Sequence, residues 1–368
     1  MRAALLLLPT ALLSLTACGS DPAPAAAAAG GPVAVRAADD ACELDRTDLS
    51  PGRNVLQITN DGSQVTEVYV YGEGDRVVTE KEDIGPGTSY ELTTQLPEGE
   101  YVIACKPGMT GDGIRTPITV SGQSAAADPE QEQAVEAYRA YVQDEADQLV
   151  PLVQGFVAAV KAGDVAQAQA LYAPSRRPWE AVEPVAESFG DLDPRMDLRE
   201  ADLEPGQEWT GWHRLEKALW VEGSTTGLEP VADQLLDDVE DLRGRVATAE
   251  MTVASIGNGA KELLDEVATG KITGEEEAFS HTDLVDFAAN VEGARTAFDV
   301  LRPLVDDAAL LAELDGAFED VVAALQPYAR GDGFVSYDTV DEAGWRELAR
   351  VVDALGEPLS RLTAAATA

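Results

Sequence analysis

The sequence predicts a multidomain chain, an all-β sandwich followed by an all-α bundle, and three observations carry that prediction. Between about residues 32 and 122, short runs alternate apolar and polar residues and are separated by turn signals. From Glu130 to the C-terminus the apolar period becomes helical. Between the two regimes lies a stretch of small residues, Ser121 to Asp128, that reads as a linker.

The strand-rich part starts from Val55-Leu56-Gln57-Ile58-Thr59 and Val65 to Tyr71, each patterned as a half-buried strand. Glu100 to Cys105 and Thr116 to Val120 read as further strands. Asn60-Asp61-Gly62, Gly72-Glu73-Gly74-Asp75, Pro86-Gly87 and Pro97-Glu98-Gly99 supply the turns. Short strands at this spacing predict a Greek-key β-sandwich over residues 32–122.

Residues 123–128 form the linker, and residues 129–368 the helical part. Val135, Tyr138, Val142 and Ala146 mark one face of the first helix, continued by Leu149, Val153, Phe156 and Val157. Asp164 caps a short helix, Val165 to Tyr172, and Ser175 is expected to cap a separate helix reaching Phe189. The stretch from Gly211 to Trp220 also reads as helix. Further helices are expected over Leu228–Ala247, Thr248–Thr269, Asp283–Leu301 and Asp306–Tyr328, and over Glu342–Leu362 with Asp341 as its cap. Gly257-Asn258 is expected to interrupt the second of these.

The N-terminus carries an address rather than a fold element. Arg2 precedes a short apolar run that ends in Leu15-Thr16-Ala17-Cys18-Gly19. That pattern resembles a bacterial lipobox, which implies a lipoprotein signal peptide over residues 1–18 with Cys18 as the lipidated first residue of the mature chain; an ordinary secretory signal with a chance cysteine is the competing reading. Residues 19–31, rich in Ala, Pro and Gly, form a flexible tether. The protein is therefore expected to be extracytoplasmic and held at a membrane surface by its lipid anchor without spanning the membrane. Of the three cysteines, this leaves Cys42 and Cys105. An oxidising compartment favours a disulfide between them over a pair of metal thiolates.

The 368 residues hold 67 acids against 26 bases, a formal net charge of −41, and 45% of the chain is hydrophobic. The apolar content is enough for a real core. The charge argues against nucleic acid as a partner and is compatible with cations. A charged, solubilising surface is the bland reading of the same number.

Against that background the two histidines are conspicuous. His213 and Glu216 are three apart in Gly211-Trp212-His213-Arg214-Leu215-Glu216-Lys217-Ala218-Leu219-Trp220 and so share a helical face. Upstream, Glu180 and Glu183 share another face, and Asp197 lies between the two stretches. One imidazole with several carboxylates suits iron, manganese or zinc, and helix bundles hold iron with Glu and His at this spacing. A structural helix with a buried histidine is the competing reading. In the strand-rich part the ligand candidates are Glu43, Glu67, Glu98, Cys42, Cys105 and Met109. That part has no histidine, so it cannot form a blue-copper centre, which needs two.

The run from Leu96 to Cys105 resembles the late strands of cupredoxins. The blocks Arg176-Arg177-Pro178-Trp179-Glu180-Ala181-Val182-Glu183-Pro184, Gly211 to Trp220, and Gly274-Glu275-Glu276-Glu277-Ala278-Phe279-Ser280-His281-Thr282-Asp283-Leu284 resemble the imelysin-like, peptidase-like family with its His-x-x-Glu hallmark. Together with the lipobox, the order is similar to that of the EfeO-like components of EfeUOB-type iron-uptake systems. The resemblance implies a cupredoxin-like domain followed by an imelysin-like bundle that binds ferric or ferrous iron. It also implies two partners, a membrane iron permease (EfeU-like) and a haem-containing peroxidase or deferrochelatase (EfeB-like). His213 and Glu216 fall on its metal motif, with Asp197, Glu180 and Glu183 on the acidic positions that complete it. Cys42, Glu43, Glu67 and Cys105 fall where a second metal, Cu2+ or iron, is expected. His281 is expected to support the site from behind, hydrogen-bonded to Asp283.

Two alternatives remain. A zinc metallopeptidase needs His-Glu-x-x-His, and Lys217 stands one turn after His213 where the second histidine would be. Hydrolysis is therefore disfavoured. A lipoprotein with no metal and merely packed histidines is the other.

Overall fold

The computed structural model describes residues 31–124, 126, 128–203 and 205–368. The signal peptide, Cys18 and all but the last residue of the tether lie outside the described residues.

Nine strands build the N-terminal part: β1 (Val33–Ala37), β2 (Cys42–Leu44), β3 (Asp48–Leu49), β4 (Gly52–Asn60), β5 (Thr66–Tyr71), β6 (Val77–Ile84), β7 (Ser89–Leu96), β8 (Gly99–Pro107) and β9 (Ile114–Val120). They form two sheets, in the orders β2-β1-β4-β7 and β3-β9-β8-β5-β6. Alternation does the work here. Leu56 and Ile58 of one sheet, and Val68, Val70 and Ile103 of the other, point into a shared core. Cys42 and Cys105 join the two sheets as a disulfide with an S–S length of 2.05 Å.

The helical part runs through α1 (Pro129–Lys161), α2 (Val165–Glu180), α3 (Glu183–Glu187), α4 (Asp193–Met196), α5 (Gly211–Lys217), α6 (Glu229–Val246), α7 (Val253–Thr269), α8 (Asp283–Leu301), α9 (Ala308–Leu325), α10 (Glu342–Leu359) and α11 (Leu362–Ala366). Asp128 caps α1 by accepting from the Glu130 amide, with Pro129 at the first helical position where its missing N–H costs nothing. Among the described residues, no helix is long and apolar enough to cross a membrane.

Three helix expectations need correction. First, α2 is continuous from Val165 to Glu180. Ser175 donates its hydroxyl to the Tyr172 carbonyl at 2.7 Å inside that helix instead of capping a new one. Second, α7 begins at Val253 rather than Thr248, because Thr252 and Ser255 form a reciprocal capping box. Third, Gly257-Asn258 does not interrupt α7. A Cβ on Gly257 would lie 2.5 Å from the Thr363 hydroxyl, so the glycine admits α11 closely. β1, β2, β3, β6 and β7 are strands that the sequence reading did not single out.

Helix α7 is one of the places where the two parts meet. Asn258 donates to the Thr79 hydroxyl at 2.9 Å and the Thr93 carbonyl at 3.0 Å, and accepts from Thr363 at 2.8 Å. Gln95 accepts from the Ala254 amide at 3.1 Å, and Lys81 pairs with Asp265 at 3.2 Å. This packing sets the β6 carboxylates Glu80 and Glu82 beside the acidic helices α3 and α7.

Candidate metal centre

The centre begins with a tight contact at the start of α5. Gly211 has φ +79°, and a Cβ there would lie 2.0 Å from the Met196 carbonyl oxygen. Only glycine fits. Thr210 fastens the same point by donating to the Arg195 carbonyl at 2.7 Å. The segment carrying Asp197 is thereby held against the first turn of the helix carrying His213. Trp179 completes the clamp: its indole N–H donates to Asp197 Oδ2 at 2.8 Å, and its ring lies 5.6 Å from that of Trp212.

The loop before α8 closes the other side. The backbone N–H groups of Phe279 and Ser280 donate to Glu216 Oε1 at 2.9 and 2.6 Å. Asp283 Oδ1 accepts from the Glu277 amide at 3.1 Å. These bonds bring Glu276 and Glu277 to the histidine.

His213 is 1% exposed. Its Nδ1 lies 3.2 Å from Glu216 Oε2. Its Nε2 lies 3.3 Å from Asp197 Oδ1 and 3.5 Å from Glu276 Oε1. Neither is aligned as a hydrogen bond, and Nε2 has no hydrogen-bond partner among the described residues. A buried ring nitrogen left this way is uncommon. Two ligands each about 2.1 Å from an ion at the tetrahedral angle stand about 3.4 Å apart, so these spacings match the edges of a coordination shell. Ligand atoms of Asp197, His213 and Glu276 all lie within 4.8 Å of one another, as do those of His213, Glu216 and Glu277.

Two buried cations hold the surrounding acids. The Arg176 guanidinium bonds to Asp197 and Glu180, reaches Glu277 Oε1 at 2.8 Å and Asp286 Oδ2 at 3.4 Å, and is fully buried. Lys271 Nζ sits 3.0 Å from Glu180 Oε2, 3.3 Å from Glu183 Oε2 and 3.1 Å from Glu266 Oε2. Burial and the Arg176 charge both oppose protonation of His213, yet Asp197, Glu216 and Glu276 together hold its pKa well above the ordinary value. Burial alone would raise Asp197; Arg176 and His213 outweigh it and keep this carboxylate ionised. Glu276 is likewise brought down to about 2 by Lys271 and His213 against burial. Glu277 goes the other way, to about 8, through burial and the neighbouring Glu216. A cleft of about 230 Å³ opens beside this cluster, lined by Asp197, Glu276, Glu183, Lys271 and Asp193 and by Glu82 of β6.

In matched residues, the imelysin family model covers 134–362 and the cupredoxin-like domain model covers 6–120. The protein named iron uptake system component EfeO of Escherichia coli strain K12 is 40% identical over 342 residues, spanning 90% of this chain and 90% of its own. The same name, identity and coverage hold for the Shigella flexneri and Escherichia coli O157:H7 proteins. The chain belongs to the EfeO family. It combines the family's two parts, a cupredoxin-like sandwich and an imelysin helical bundle.

Within this EfeO-family chain, the residues singled out from sequence fare unequally. His213, Glu216 and Asp197 converge. Ligand atoms of Glu180, Glu183 and Asp197 also lie within 4.8 Å of one another, and the two glutamates bond in addition to Arg176, Lys271 and Asn290. The set expected in the sandwich does not assemble, which is a correction. Cys42 and Cys105 are spent on the disulfide, so neither is a thiolate. Glu43 and Glu98 are exposed on β2 and in the β7–β8 turn, and Met109 is also exposed. Glu67, buried on β5, has Lys106 Nζ at 3.8 Å. Among the described residues, no group able to hold an ion includes these acids. The expected bond from His281 to Asp283 is absent too. His281 adopts φ +56°, and Asp283 gives Oδ1 to the Glu277 amide while its buried Oδ2 has no hydrogen-bond partner among the described residues.

Sequence reasoning missed Glu276, Arg176 and Lys271. The run Glu275-Glu276-Glu277 was visible, but nothing in it says which carboxylate faces inward. A basic residue beside Pro178 and Trp179 gives no sign that it will be buried whole.

Proposed function

We propose that this chain captures iron outside the cytoplasm and hands it to a membrane permease. The ion is held on the Nε2 side of His213 by that nitrogen, Asp197 and Glu276, with Glu180 and Glu183 standing beside Asp197. The observation that carries this reading is the buried Nε2, which faces two carboxylate oxygens at ligand–ligand spacing with no aligned hydrogen bond to either. The naming of the relatives as iron-uptake components supports iron as the cargo. One imidazole among carboxylates suits a hard cation such as ferric iron.

The chain's own residues supply the rest. Arg176 keeps Asp197 ionised and in place before an ion arrives. The imidazolium releases its Nε2 proton as the ion enters, since a ligand nitrogen must be unprotonated. The ionised carboxylates of Asp197 and Glu276 line the cleft and give the cation a negatively charged approach. A lipid on Cys18 and the tether over residues 19–31 keep the loaded protein near the permease and a haem-containing peroxidase partner.

The test is iron stoichiometry by elemental analysis and calorimetry on purified protein. One iron per chain is expected at this centre, lost in His213→Ala with the circular dichroism spectrum unchanged. Undiminished iron in that variant would remove the site.

A further inference from the structure

The His-x-x-Glu pair contains two potential ligands, and the geometry separates their roles. We infer that Glu216 is a positioning residue: it fixes the His213 ring through Nδ1, ties that ring to the loop carrying Glu276, and leaves Nε2 as the imidazole nitrogen presented to the ion. This rests on the iron-binding reading above and assigns the parts within it.

Three observations support the assignment. First, both oxygens of Glu216 are already committed. Oε1 accepts the Phe279 and Ser280 amides at 2.9 and 2.6 Å, and Oε2 faces Nδ1 at 3.2 Å. The side chain is fully buried. Turning this carboxylate onto an ion would strand the buried Ser280 N–H and the part-buried Phe279 N–H. Second, the opposite ring nitrogen is the one without a hydrogen-bond partner, and it faces Asp197 and Glu276. Third, the cleft through which a cation would arrive is lined by Asp197 and Glu276, the two carboxylates that face Nε2 rather than Nδ1.

The arrangement is one in which a carboxylate on the second ring nitrogen fixes tautomer and orientation and makes the first nitrogen a better donor. Spacing of three on α5 puts Glu216 at Nδ1, and its Oε1 reaches the backbone just after Glu276. One side chain therefore registers two ligands, His213 on a helix and Glu276 on a loop, to each other.

The protein has two histidines, so a spectrum of the full chain labelled with ¹⁵N-histidine contains two imidazoles. His281→Ala assigns them. Zinc, and then gallium(III) as a diamagnetic trivalent probe, is added to the purified protein. The expected result is His213 bound through Nε2 with a proton retained on Nδ1, at low field from its bond to carboxylate. In Glu216→Gln the ion should stay on Nε2, the Nδ1 proton should move upfield, and affinity should fall by about 10- to 100-fold. An ion on Nδ1 in the wild-type protein overturns the assignment. So does an Nδ1 proton that Glu216→Gln leaves unmoved. If the variant does not fold, the wild-type spectrum decides alone. If neither probe perturbs His213, the iron-binding reading itself falls, an outcome distinct from an ion arriving at the wrong nitrogen.

Discussion

Replacing Lys271 with methionine tests how the buried acids are neutralised. Methionine keeps an unbranched apolar stem and removes the charge. The ammonium side chain is 2% exposed and has three carboxylate oxygens at 3.0, 3.1 and 3.3 Å. At an effective dielectric near 20, one such pair is worth about 5 kcal/mol of attraction, much of which is offset by the desolvation of the ammonium. Removing one partner of a buried pair costs about 3–5 kcal/mol, and that is the loss expected at pH 8. The loss should depend on pH with a definite sign. Burial lifts Glu266 from 4.5 to about 8, and burial together with Glu266 holds Glu183 well above its ordinary value. Both folded-state pKa values lie above the unfolded ones, so the folded state binds more protons between them and gains stability as pH falls. Without the ammonium the two groups are pushed higher still, so at pH 5 they are neutral and the deficit shrinks. Urea unfolding of both proteins at pH 5 and pH 8, read from midpoint and slope, measures it. A deficit equal at the two pH values, or one below about 1 kcal/mol at pH 8, would refute the reasoning.

Gly211→Ala should weaken iron binding without touching a ligand, because the new Cβ meets the Met196 carbonyl at 2.0 Å and pushes the Asp197 segment from His213; calorimetric titration with iron checks it. Replacing Cys42 and Cys105 with serine should cost about 4 kcal/mol, from the entropy of a loop with sequence separation 63, measured by chemical denaturation against the oxidised protein. The seam between sandwich and helices should loosen as pH rises. Burial and Glu82 lift Glu262 from 4.5 to about 8, and burial and Glu262 hold Glu80 well above its usual range. Their contribution is fully present below the unfolded pKa and is lost as pH climbs through the folded one, so the thermal midpoint should fall between pH 5 and 8.5.

Much of the architecture is legible in the residues, and the reason is periodicity. Leu56 and Ile58 alternate, Val135 to Val157 repeat every three or four, and Asp128, Asp164 and Asp341 accept amide hydrogen bonds at helix starts. Strands β1, β6 and β7 are harder to see, because polar residues such as Arg36, Lys81 and Gln95 on them serve contacts across the sandwich surface or with α7. At the centre, a spacing of three on one helix is enough to expect His213 and Glu216 to meet. The reach from Asp197 to His213 depends on a glycine contact and an indole bond that no local pattern encodes. Arg176 and Lys271 are invisible for a different reason. Burial of a charge is set by the company it keeps in three dimensions, and a chain with 67 acids offers many equivalent partners on paper.

Asn258 has a practical consequence for dissecting the molecule. One amide on α7 holds a strand, a neighbouring strand and the last helix at once. A truncation beginning at Pro129 would leave that amide, and the carboxylate of Glu262 one turn along, facing water where a sheet had been. Fragments cut at the linker should be judged by whether α7 keeps its cover, and a helical half that misbehaves in isolation would report a missing wall rather than a defective metal pocket.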